Sequence, residues 1–318
     1  MIHLFKKGFP LFLLLSISAA SFAQSDYKAV DDYIKSIGSL DSMNMGTISD
    51  IVTKNFPDNK LKARAIFDWI AFNINFDAKA SRYGDNTINI SDDIIKSRKA
   101  TSFGYAALFQ DMCSAASIRC LTVDGYVKKT TDDINQKPDE FNHSWDVVQL
   151  GQSPSDWYYV DPTWGSGYTD KDVKKYTKAF NDAYFFSNAS IFNLQHYPDN
   201  TAWLLGPGAK TVKDFFAMPI VKNAVFDFGI TSVSPATGSL KVKAGKSVQF
   251  SLSSSNTADV SIVSVIIGDD KKAQPKQINY SINNGAINFN YKFEEADSYP
   301  FAILINGKEV LDYLVEVE

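Results

Sequence analysis

The sequence predicts an α+β protein in which helices come first and the C-terminal end is all strand. Three observations predict it. Apolar residues recur at helical spacing through the first hundred or so residues, as Tyr27, Val30, Ile34 and Ile37 do. From Ile118 the pattern changes to short runs rich in Val, Tyr and Trp. From about Phe228 to Glu318 no helical period survives, and short alternating runs are separated by Gly, Asn, Asp and Ser, the pattern of a β-sandwich. The chain has 318 residues, 45% hydrophobic, 21% charged and 14% aromatic, with net charge −4. That composition excludes a disordered chain, and the length suits two domains.

Taken in order, residues 1–23 read as a signal peptide. Lys6 and Lys7 precede the apolar run Leu11 to Ala20, which is too short to span a bilayer. Ser21-Phe22-Ala23 then offers small residues for cleavage, which predicts a mature chain beginning at Gln24 in a periplasmic or extracellular setting. No later apolar run reaches the ~18 residues of a membrane helix, so no span is expected in the mature chain. Residues 24–225 are expected to form the first domain and 226–318 an immunoglobulin-like β-sandwich. Within the first, Ile48, Ile51 and Val52 continue the helical pattern, and Asp58 is placed to cap a helix carrying Leu61, Ala65, Ile66, Trp69 and Ile70. Ala106 to Ala116 reads as a buried helix. Ile118 to Val127, Ser144 to Leu150 and Trp157 to Val160 read as strands, with a polar loop from Lys128 to Asn142.

Charge and cysteine content narrow the function classes. Thirty-two Lys and Arg against 36 Asp and Glu leave no electrostatic footprint for nucleic acid. Two cysteines cannot build a disulfide scaffold or a four-thiolate zinc site. Cys113 and Cys120 flank a helix-to-strand turn, where either a disulfide or two buried thiols would fit. No cofactor or metal site is indicated; Asp132, Asp133, Asp139 and Glu140 read as a solvated loop face.

Four segments carry chemistry: Lys99-Ala-Thr-Ser-Phe-Gly-Tyr-Ala106, Asn142-His-Ser-Trp145, Tyr159-Val-Asp-Pro-Thr-Trp-Gly165, and His196-Tyr-Pro-Asp199 with Trp203-Leu-Leu205. They supply a hydroxyl, Ser102, at a helix start, an imidazole, His143, on one strand, and a carboxylate, Asp161, at the end of the next. That is the inventory of a nucleophile, a base and an orienting group. The helix start adds free N–H groups for an oxyanion. Antiparallel pairing of 143–150 with 157–161 would bring His143 to Asp161. The mature chain has only His143 and His196, so histidine-based proton transfer must use one of them.

From about Leu61 to Leu205 the chain resembles a transglutaminase-like core domain of the branch that includes kyphoscoliosis-type peptidases. The matching residues are Ala63 to Ile70, Arg98-Lys99, Gly104-Tyr105, Gly125-Tyr126, His143, Trp145 and Val160 to Gly165. The resemblance implies a papain-like fold and acyl transfer or hydrolysis at peptide amides through a Cys-His-Asp triad. His143 and Asp161 match the base and orienter, but Ser102 stands where the resemblance implies the nucleophilic cysteine. A thiol is readily held as thiolate, whereas a serine hydroxyl must lose its proton during attack. Serine is also a good N-cap, which would give Ser102 a structural reason to be there. The expected function is therefore an exported, catalytically inactive module that binds peptide, protein or glycan; the alternative is a serine-dependent amidase or acyltransferase. Phe103, Trp145, Trp157 and Trp164 would line or support the cleft, with Trp145 the most core-like. The His196 segment is expected to pack against the core as structure. Oligomeric state is left open.

Overall fold

Asp58 opens the helix Asn59–Asn73 by accepting a hydrogen bond from the Leu61 N–H, and Asn44 does the same for Met45–Thr53 through the Thr47 N–H. The structure, a computed structural model, describes residues 27–87, 90–153, 155–268, 270 and 273–318; the expected leader, 1–23, lies outside the described residues. The first helix, Lys28–Ser36, is tied to Asn59–Asn73 by Arg64, whose buried guanidinium donates to Asp31 at 3.0 and 3.1 Å. No helix among the described residues is long and apolar enough to cross a membrane.

The helix Ser102–Ala115 buries Tyr105, Leu108, Phe109, Met112 and Cys113. One side packs on a sheet and another on the helices Met45–Thr53 and Asn59–Asn73, which is why it is apolar nearly all round. Cys113 and Cys120 are both buried and free, Cys120 Sγ lying 3.7 Å from Asp146 Oδ1.

The sheet against this helix is antiparallel, in the spatial order Trp157–Val160, His143–Gln149, Arg119–Val127, His196–Pro198. Its register places Gly125 opposite His143 on one side and Pro198 on the other, while Val127 faces His196. Both histidines of the described chain therefore flank the same end of one central strand. Gly125 makes this possible. A Cβ there would lie 2.3 Å from the Tyr197 carbonyl oxygen and 2.6 Å from the Trp145 ring.

Two further sheets follow, antiparallel except where Ser239–Val242 runs parallel to Lys308–Val317. One contains Ile230–Ser234, Lys246–Ser254, Ala286–Phe293 and Ser281–Asn283. The other is built around Lys308–Val317, Ser298–Ile305 and Val263–Ile267. Phe250, Leu252, Ile287 and Phe289 of the first share one apolar core with Val263, Phe301, Ile303 and Val315 of the second. Ile191 and Leu194, from the helix Ala189–Gln195, also enter that core. The short strand Ile220–Val221 pairs with Leu311 and Asp312, so the chain is stitched to the C-terminal sheets before residue 226.

Gly125→Ala should lower unfolding stability by about 1–3 kcal/mol, because neither the Tyr197 backbone nor the Trp145 ring can give way cheaply. Gly38→Ala, with nothing within 4 Å, should be close to neutral. Equal urea midpoints for the two variants would show that the approach at Gly125 carries no constraint.

Candidate functional site

Ser102 is the first helical residue of Ser102–Ala115, and the N-cap is Thr101, with extended backbone at φ −80° and ψ 177°. The expected N-cap role of Ser102 is thus corrected. Two adjacent hydroxyl residues compete for the boundary, and the chain turns helical one residue later than the serine-cap reading requires. The Thr101 hydroxyl donates to Asn86 Oδ1 at 2.9 Å. Ser102, itself buried, lines a cavity of about 310 Å³ together with His143, Thr163, Trp164, Tyr168 and Tyr176.

His143 begins its strand and presents Nε2 to Asp161 Oδ2 at 2.7 Å. The hairpin register accounts for the meeting: Asp146 pairs with Val160, so the preceding and following ends converge. Asp161 is fully buried and caps the short helix Pro162–Ser166, its Oδ1 accepting from the Thr163 and Trp164 N–H groups at 2.9 Å each. No hydrogen bond joins the Ser102 hydroxyl to His143 among the described residues. With Nε2 engaged by Asp161, Nδ1 is the ring nitrogen left for a proton exchange with a group in the cavity.

A residue assigned to packing by the sequence also reaches Asp161. His196 Nε2 lies 3.1 Å from the same Oδ2, and its Nδ1 lies 3.2 Å from the Phe192 carbonyl oxygen. The ring is fully buried and stacks on Phe192 at 3.8 Å between centroids. The sequence signals are that His196 is one of two histidines in the expected mature chain and that it opens the His196-Tyr-Pro-Asp199 segment. Its strand pairs across a sequence gap of about seventy residues, which no local pattern reveals.

Burial alone would push the Asp161 carboxyl up. The charge of His143 and the hydrogen bonds from both imidazoles outweigh it and hold the group well below the ordinary carboxylate range. Burial pushes His196 down to about 4 against the pull of Asp161. The atoms of His143, Asp161 and His196 lie within 4.8 Å of one another, close enough for a metal, but both rings already direct a nitrogen at the carboxylate oxygen a cation would need.

Of the aromatic residues expected at the cleft, Trp164 lines the cavity. Trp145 is fully buried and stacks behind His143 at 6.2 Å. Phe103 is half-buried and lies outside the cavity lining, and Trp157 packs instead against Trp203 and under Arg119. The far wall is Ile220 to Asn223, held to the core by Lys128, whose ammonium donates to the Met218 and Pro219 carbonyls. Burial pushes that lysine down to about 7.

These shifts fix a pH dependence. His196 takes up a proton in the unfolded chain near pH 6.5 but only near 4 when folded, so its contribution to stability falls as pH drops from about 6.5 to 4. Asp161 acts at lower pH: its depressed value adds stability that is lost as pH falls below the ordinary carboxylate range. Asp312, pushed up to about 7, and Asp68, to about 9, have the opposite sign. They cancel when native protein is compared with His196→Phe. The urea midpoint of the native chain relative to that variant should therefore fall steadily between pH 6.5 and 4.5; a constant difference would contradict the neutral, buried His196.

Residues 47–162, which hold Ser102, His143 and Asp161, match the transglutaminase-like superfamily. The kyphoscoliosis peptidase of Mus musculus is 32% identical over 200 residues, covering 63% of this chain and 30% of that protein. The Homo sapiens kyphoscoliosis peptidase is 30% identical over 232 residues, covering 73% and 34%. This chain thus spans about a third of the length of these curated relatives. A solved structure described as a TGase is 15% identical, covering 46% of this chain and 35% of its own, with a TM-score of 0.28. The chain carries a transglutaminase-like core domain, with kyphoscoliosis peptidases as homologues at about 30% identity.

Proposed function

We propose that this chain is an exported transglutaminase-like module that binds a peptide amide in the cavity at Ser102, His143 and Asp161, with little or no turnover. The observation that carries the reading is the His143–Asp161 bond of 2.7 Å beside a cavity that Ser102 also lines. An imidazole oriented in this way, next to a hydroxyl at a helix start, can accept and donate hydrogen bonds to an amide. The peptide class is supported by the names of the relatives, which are peptidases. Low turnover follows from the chemistry of the nucleophile position. The resemblance implies cysteine there, and a site suited to a thiolate–imidazolium pair is not thereby suited to deprotonating an alcohol. In this reading residues 226–318 are an immunoglobulin-like sandwich that positions or tethers the module.

A second reading, serine-dependent amide hydrolysis or acyl transfer, is favoured by the cap geometry. Because Thr101 occupies the N-cap, the Ser102 hydroxyl is not consumed by that structural role.

The test is Ser102→Cys. Its thiol should react with iodoacetamide at pH 7 at least about tenfold faster than free cysteine, since imidazole and helix end both favour thiolate. His143→Ala should remove the enhancement. Native protein, recovered from the exported fraction with Gln24 at its N-terminus, should bind peptide amides without cleaving them. Turnover by the native chain that disappears in Ser102→Ala would establish serine catalysis instead, and an ordinary thiol would show that no acyl-transfer site remains.

A further inference from the structure

We propose that His196 is a positioning residue of this site, donating Nε2–H to the Asp161 oxygen that also holds His143 and so setting how strongly that carboxylate retains the His143 proton. The inference rests on the reading of Ser102, His143 and Asp161 as an acyl-transfer-type site, but its geometry stands by itself. His196 faces two acceptors, Asp161 Oδ2 at 3.1 Å and the Phe192 carbonyl at 3.2 Å. A neutral imidazole has one proton to give. With the proton on Nδ1, the Nε2 lone pair would point at an ionised carboxylate in a fully buried site. With the proton on Nε2, the lone pair meets only the carbonyl dipole. The anion is the stronger acceptor, so the Nε2–H form is the one the site selects.

The consequence reaches His143 through Asp161. Oδ1 is occupied by the Thr163 and Trp164 N–H groups, so all the remaining acceptor strength of the carboxylate lies on Oδ2. Two imidazoles divide it. Removing the His196 donor concentrates the carboxylate's pull on His143 and makes that ring a better proton holder. A base for an alcohol must start neutral, so a second donor on the carboxylate works against a resting imidazolium while making the neutral ring a weaker acceptor of the Ser102 proton.

The groups that face this cluster are few. Tyr184 lies beside His196, its hydroxyl directed to Gln195 and Asn223. The buried Asp146 lies on the neighbouring strand, its carboxyl pushed up chiefly by burial and also by the charge of Asp161. Lys128 and Lys129 line the cavity on the His143 side. None of these replaces a hydrogen bond to Oδ2.

Imidazole nitrogen NMR of the uniformly labelled native chain reads the His196 tautomer directly and needs no variant. The Nε2–H form is expected; a proton on Nδ1 would overturn the proposal. Two substitutions then separate positioning from packing. His196→Phe keeps the stacked ring and loses the donor, whereas His196→Gln keeps a donor and loses the ring. The pH at which His143 takes its proton should rise by about one unit in His196→Phe, roughly a tenfold change in proton affinity. It should return at least halfway in His196→Gln. No shift in the folded Phe variant, or an equal shift in both, would leave His196 a packing residue. Failure of the site reading would look different: Ser102→Cys would show an ordinary thiol while the tautomer and the shift remained.

Discussion

The structure around the sheet that carries His143 and His196 depends on one buried carboxylate kept ionised. Asp161 has no exposed surface, yet its carboxyl is held well below the ordinary range because donors surround it. Two backbone N–H groups meet Oδ1 and two imidazoles meet Oδ2. An unpaired carboxylate in that place would cost several kcal/mol or give up its charge. Each donor therefore constrains an element: the short helix Pro162–Ser166, the start of strand His143–Gln149, and the junction between Ala189–Gln195 and His196–Pro198. The fold and the site are the same set of hydrogen bonds seen from two directions.

That view explains several features that otherwise look independent. Gly125 sits between the two histidine-bearing strands because a side chain there would push Tyr197 and Trp145 away. Trp145, Trp164 and Phe192 surround the two rings and keep water from the carboxylate. The cavity then opens on the other side of His143, toward Ser102 and the wall Ile220 to Asn223. Packed against aromatic rings on one side and lining the cavity on the other, the imidazole has Nε2 committed to Asp161, and no hydrogen bond holds Nδ1 among the described residues.

Much of this could be read before the structure. The cap at Asp58, the helical faces and the strands near 119–127 and 157–160 follow from local pattern and turn chemistry. The meeting of His143 with Asp161 follows from hairpin spacing, since only seven residues separate strands that end at 149 and begin at 157. What was not legible is non-local or one residue wide. His196 reaches Asp161 only because its strand pairs with Arg119–Val127, a partner no periodicity names. Thr101 rather than Ser102 occupies the N-cap position of its helix, a choice between neighbouring hydroxyl residues that local preference cannot make. Ile220–Val221 joins the C-terminal sheets from within the expected first domain because Leu311 and Asp312 offer an open strand edge.

The central claim is that the charge on Asp161, and not only its shape, organises the site. Asp161→Asn tests it most directly, because the amide preserves volume and removes the charge that both imidazoles address. Urea unfolding at pH 7 should show a loss of about 2 to 4 kcal/mol relative to the native chain. A loss below about 0.5 kcal/mol would contradict the account, since the surroundings of Asp161 would then be holding a side chain of that shape with no need for its charge.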